Sequence, residues 1–141
     1  MRLRIWLEWL RKSRGGATAV EFAVTAPILV SMLYGIVELS HYAWSNIALA
    51  DAAKMGARYA MVRGSASADP ASASDIATYV KGQIVLIDPN AVTVSTTFTP
   101  DNKPGSDVTV SLSYSFVPFL PGFDYLTTKR LTASSEMTIS D

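Results

Sequence analysis

From residue 22 to residue 37 the chain reads FAVTAPILVSMLYGIV, sixteen residues without a charge. Extended to 17 and 39, the apolar stretch is 23 residues long, with Glu21 near its start and Glu38 near its end. As a helix, that stretch measures about 34 Å, close to the roughly 30 Å hydrocarbon core of a bilayer. It is apolar on every side, and a helix of that kind needs a nonaqueous surround. The rest of a 141-residue chain offers too little to wrap it. The sequence therefore predicts a single membrane-spanning helix.

Charge gives the direction. Residues 1–16 hold Arg2, Arg4, Arg11, Lys12 and Arg14 against Glu8, a net +4, whereas the remainder nets −4. Basic flanks stay in the cytoplasm, so the C-terminal body is expected outside. Leu3, Ile5, Trp6, Leu7, Trp9 and Leu10 lie among these charges and suggest a short amphipathic helix on the cytoplasmic leaflet. Overall the chain is neutral, which offers no case for nucleic-acid binding.

Three fates of the apolar stretch fit a basic head. It is a signal peptide cut near Ala48-Leu49-Ala50, an uncleaved anchor, or a segment kept after a cut on its N-terminal side. The first fits poorly: the stretch is long for a signal, and His41, Tyr42, Trp44 and Asn46 lie between it and the cut. The third has a local signature. Arg14-Gly15-Gly16 makes a basic, glycine-rich break before the helix, where an extended backbone can enter a protease. Glu21 then follows Gly16 by five positions, with Phe22 after it.

This arrangement resembles the type IV prepilin processing site, and its Glu-aromatic pair is closest to the tight-adherence (Tad) variant. Val20-Glu21-Phe22-Ala23, Pro27, Gly35-Ile36-Val37-Glu38 and the small-residue stretch to Ala57-Arg58-Tyr59-Ala60 resemble the TadE-like family of pseudopilins. The resemblance covers about residues 14–63. It implies a minor pilin or pseudopilin of a Tad-type pilus, cut by a membrane prepilin peptidase between Gly16 and Ala17. Its partners would be that peptidase, other pilins or pseudopilins, the inner-membrane assembly platform and membrane lipid. Glu21 would neutralise the new amine of an adjacent subunit, a contact strong in a low-dielectric surround. Phe22 belongs to the same motif.

Ala19, Ala23, Pro27, Ser31 and Gly35 recur every fourth position beside a bulkier row of Val24, Ile28, Met32 and Ile36. Such a stripe lets another helix approach closely. Pro27 frees the carbonyl of Ala23 and predicts a kink or local melting there.

Helical character continues past the span on an alanine-rich stretch, giving one helix from about 17 to 62. Its expected apolar face is Ala43, Ile47, Ala50, Ala57 and Met61. His41, Tyr42 and Trp44 suggest an interfacial aromatic cluster. Residues 64–74 read as an exposed loop. Ser74 and Asp75 offer an N-cap for a short helix reaching about Ile87, with Ile76, Val80 and Ile84 inward. Three period-2 stretches follow. They are Val92 to Phe98, Val108 to Phe116 and Leu131 to Ile139, separated by the turns PDNKPGSD and LPGFDY. The expected class is α+β: a long N-terminal transmembrane helix, a short helix and a three-stranded antiparallel meander whose Ser/Thr-rich face meets solvent. That solvated face also admits an adhesive or glycan contact.

The expected organisation is a leader (1–16), a spine helix (17–63) and an extracytoplasmic body (64–141). Catalysis finds no footing. There is no cysteine and one histidine, so thiol nucleophiles, zinc-thiolate sites and multi-histidine metal centres are excluded. Asp101 and Asp107 sit in a turn with Lys103 and read as solubilising. No cofactor is implied. Two rivals to the pilin reading stand beside it: a membrane-anchored periplasmic binding or sensor module, and a secreted β-rich domain cut near Ala50.

Overall fold

A computed structural model describes residues 15–119 and 129–140. The amphipathic leader helix and the LPGFDY turn lie outside these residues. Helix α1 runs over Gly15–Met61, helix α2 over Ala73–Gln83, and strands β1 to β3 over Val92–Thr99, Asp107–Ser115 and Arg130–Thr138. A single 3-10 turn, Pro89–Ala91, leads into β1. This is the expected α+β arrangement. The chain divides into two compact units at Val37 and Glu38.

In the first unit, α1 passes through Pro27 without a break, so the local melting expected there does not occur. Proline costs one hydrogen bond, yet the helix continues through it, with a side-chain hydroxyl bonded one turn back on either side. The Thr25 hydroxyl donates to the carbonyl of Glu21, and the Ser31 hydroxyl donates to that of Pro27 at 2.7 Å.

In the second unit, the three strands form an antiparallel meander in the order β1-β2-β3. Its register aligns Val92 with Tyr114 and Tyr114 with Leu131. Val92, Val108, Val110, Leu112, Tyr114 and Leu131 are buried on one face, as the alternation predicts. The other face aligns Ser95, Ser111 and Ser134 across the strands.

The face that α1 turns to this core differs from the expected one. Leu49, Ala52, Ala53, Ala57 and Ala60 are buried, while Ile47 remains 58% exposed. The seam is set by close approach rather than by bulk. At Gly56 an added Cβ would lie 2.4 Å from Val80 Cγ2 and 3.2 Å from Val110 Cγ1. Around Gly56 the seam is lined by alanines, with Leu49 buried nearer its N-terminal end, and Ile47 lies on the exposed side of the helix.

Helix α2 starts two to three residues earlier than expected. Ser72 is its N-cap, and Asp75 completes a capping box by accepting the Ser72 N–H at 2.9 Å. The Ser72 hydroxyl and N–H hold the Asp75 carboxyl below the usual carboxylate range. The helix stops at Gln83, short of Ile87, because the chain turns extended at Ile84 and left-handed at Leu86. That path buries Ile84 and Ile87.

The 64–74 loop is only partly free. Ala71 N–H returns to the carbonyl of Arg63, and Ser65 N–H donates at 2.7 Å to the carbonyl of Asn102 in the β1–β2 turn. Asp101 organises that turn, accepting from the Ser106 hydroxyl and the Lys103 N–H, and both bonds lower its carboxyl's pKa.

Candidate assembly surface and the Glu38 clasp

Residues 16–37 have no cover among the described residues. Eleven large apolar side chains between Val20 and Val37 are 42–73% exposed. Full burial of such a side chain is worth about 1.5–3 kcal/mol, so on the order of 10 kcal/mol of apolar transfer is left unused in water. Helix α1 is long and apolar enough to span a membrane.

The structure places the sequence-derived site residues along this segment. Gly16, Ala17, Glu21, Phe22 and Pro27 are all exposed. Gly15 and Gly16 form the first turn of α1, where an open backbone was expected. Two glycines make that turn weak, since each costs about 1 kcal/mol against alanine in a helix. Among the described residues, the Glu21 carboxylate has no partner; only its backbone carbonyl is engaged, by Thr25. Ala19, Ala23, Pro27 and Ser31 lie exposed along one side, and Gly35 is half-exposed.

The second acid of the stretch behaves in the opposite way. Glu38 is 1% exposed. Both of its carboxylate oxygens accept the backbone N–H of Phe119, at 3.3 Å each. His41 Nδ1 stands 3.6 Å from Glu38 Oε1, too far for a hydrogen bond but within ion-pair range once protonated. The His41 ring stacks on Phe119 at 3.9 Å and tilts against Phe116 at 4.9 Å. Tyr42 meets Phe116 edge-on. The expected cluster of His41, Tyr42 and Trp44 forms only in part: His41 and Tyr42 pack with Phe116 and Phe119, whereas Trp44 stays 53% exposed. Beneath it, buried Ser45 donates to the carbonyl of His41 at 2.9 Å.

Sequence reasoning missed this clasp. Its only local signal is an acid at the end of an apolar run with a histidine three residues on. Its acceptor role spans 81 residues.

The remaining polar features are modest. Among the described residues, no group of three His, Asp or Glu side chains is placed to hold a metal. A shallow depression on the outer face of the sheet is lined by hydroxyls, including Thr93, Ser95, Ser113 and Thr132. Within it Ser111 and Ser134 hydrogen-bond to each other at 3.1 Å.

An exposed apolar helix that carries Glu21 five residues past Gly16 can be set beside known families. Residues 16–58 match the TadE-like protein family. The TadE-like segment thus begins at the Gly16-Ala17 junction, holds both acids and ends within the Gly56 seam. The family is associated with the Tad pilus. No curated protein and no solved structure matches the chain significantly.

Proposed function

We propose that this chain is a minor pilin or pseudopilin that supports assembly of a Tad-type pilus. It enters the inner membrane with its N-terminus in the cytoplasm and its body in the periplasm. A prepilin peptidase cuts between Gly16 and Ala17, leaving the apolar helix on the mature protein. Other pilins, the assembly platform and lipid are its partners. The reading rests on one observation above the rest: the TadE-like segment opens with an exposed apolar helical stretch in which Glu21 sits five residues beyond Gly16, its carboxylate without a partner among the described residues.

The geometry supports this reading chemically. After the cut, Ala17 carries an α-amine that is cationic near neutrality. An acid in an apolar surround is costly unless paired. Glu21 is one turn from its own Ala17, and in a packed assembly it would meet the amine of a neighbour. The two-glycine first turn is cheap to unwind into the extended form that a peptidase takes. Removing everything before Asp51 would instead strip Leu49 and Ser45 from the core of the body, which weighs against secretion by a cut near Ala50.

The test is N-terminal sequencing of the protein purified from cells with and without the prepilin peptidase. Ala17 is expected in the first case and an uncut N-terminus in the second. Asp51 as the first residue, or an uncut chain in both strains, refutes the reading.

A further inference from the structure

Glu38 is the first residue after the charge-free run, and the strand-exit segment 116–119 is tied to it. Phe116 is buried, whereas Val117 and Phe119 are 58% and 70% exposed. The placement of Phe119 is enforced. The Phe119 N–H is held by both oxygens of a buried carboxylate, and one face of its ring rests on His41. Between them, Pro118 stiffens the backbone. No residue from 116 to 119 carries a charge. A body bathed only in water gains nothing by fixing two apolar side chains outward. Scattered exposed apolar residues are ordinary, but Phe119, two residues beyond Val117, is clasped at the residue where the apolar run ends.

We propose that Val117 and Phe119 form a second membrane contact, seated at the boundary between headgroups and acyl chains of the bilayer that α1 crosses. The inference rests on the membrane-spanning reading of residues 17–39. Glu38 sets the height. The acid ends the run, and its carboxylate fixes the Phe119 backbone at that level. His41, Tyr42 and the exposed Trp44 follow within two turns, which gives the aromatic content typical of an interface. Lipid is favoured over a protein partner because the patch is tied to Glu38, the residue that follows the lipid-facing run, and residues 116–119 have neither charged nor hydrogen-bonding side chains to specify a partner.

The chain has no cysteine, so single labels can be placed cleanly. Phe119→Cys, Val117→Cys, Leu29→Cys and Ser95→Cys variants of the full chain would each carry a nitroxide in vesicles of neutral phospholipid. Collision with oxygen, which prefers lipid, is compared with collision with a water-soluble nickel chelate. The oxygen-to-nickel ratio at 119 and 117 is expected to be several-fold above that at Ser95 and below that at Leu29. Adding Glu38→Ala should bring the 119 ratio down toward the Ser95 value. If 119 and 117 read like Ser95 while Leu29 reads as lipid, the membrane span stands and the second contact is refuted. If 119 is shielded from both quenchers, protein covers the patch and the proposal also fails. If Leu29 itself reads as water, the membrane-spanning reading falls and takes the contact with it.

Discussion

Gly56 is where the fold makes its most quantitative demand. Replacing it with alanine puts a methyl group 2.4 Å from Val80 Cγ2 and 3.2 Å from Val110 Cγ1. The first distance is far inside van der Waals contact. Val80 lies in α2, and a helical valine holds one χ1 rotamer about 90% of the time, so it cannot simply swing aside. Relief requires the helices or the sheet to shift, and such overpacking costs about 1–3 kcal/mol. Alanine also returns up to about 1 kcal/mol of helix propensity, which partly masks the clash. A control removes the masking. Gly82 is also helical, and its Cβ position has nothing within 4 Å. Gly82→Ala should therefore stabilise by up to about 1 kcal/mol. The informative quantity is the difference between the two variants, expected near the overpacking cost of about 1–3 kcal/mol. At about 4–8 °C per kcal/mol, this separates their melting points by roughly 4 °C or more. The assay is thermal unfolding of the full chain in micelles, followed by near-ultraviolet circular dichroism. Val80→Ala in the Gly56→Ala background should show favourable coupling in a double-mutant cycle. A Gly56→Ala protein as stable as Gly82→Ala would refute the close-approach account of the seam.

Three further outcomes are expected. Glu38→Ala removes a buried charged acceptor from the part-buried Phe119 N–H and should destabilise the body by about 1.5–3 kcal/mol, read as a lower urea midpoint; an unchanged midpoint would show that the clasp bears no load. Because Ser72 holds the Asp75 carboxyl below its ordinary range, the stabilisation is complete above the usual carboxylate pKa and fades as pH falls through the lowered folded value. The gap in melting temperature between wild type and Ser72→Ala should thus shrink between pH 6 and pH 3, and a constant gap would contradict the capping box as its source. Glu21→Ala should still be cut after Gly16 yet be missing from sheared surface filaments and from cross-linked assemblies on immunoblots; a variant incorporated at wild-type levels would remove the role assigned to the acid.

The strands and the span were legible because each depends on a local pattern. Alternation placed Val108, Val110 and Leu112 inward, and the unbroken apolar run needed no neighbour to be recognised. The burying face of α1 was not legible. Alanines occur on all sides of it, which flattens the periodicity, and two of its inward residues, Glu38 and Ser45, are polar. The inward position of Glu38 follows from a partner elsewhere, the Phe119 N–H 81 residues away, while the Ser45 hydroxyl is satisfied one turn back by the carbonyl of His41. The start of α2 was ambiguous for a different reason. Ser72 and Ser74 both precede an acid, and only Ser72 has Asp75 at the spacing of a capping box.

The contrast between the two acids carries the functional argument further than either alone. Glu38 and Glu21 bracket the same apolar run, and each would be costly there if unpaired. The chain supplies Glu38 with a donor and aromatic cover, so its carboxylate is accounted for by this fold. Glu21 has no such provision among the described residues, although hydroxyl-bearing Thr18 and Thr25 lie nearby in sequence. A conservative exchange therefore separates the two roles. Glu21→Gln keeps the shape and abolishes the charge, so it should leave melting unchanged and impair assembly about as much as Glu21→Ala. Glu38→Gln keeps an acceptor for the Phe119 N–H, so it should retain more stability than Glu38→Ala and leave assembly nearly intact. Glu21→Gln that assembles normally would mean that charge is not what the N-terminal acid contributes.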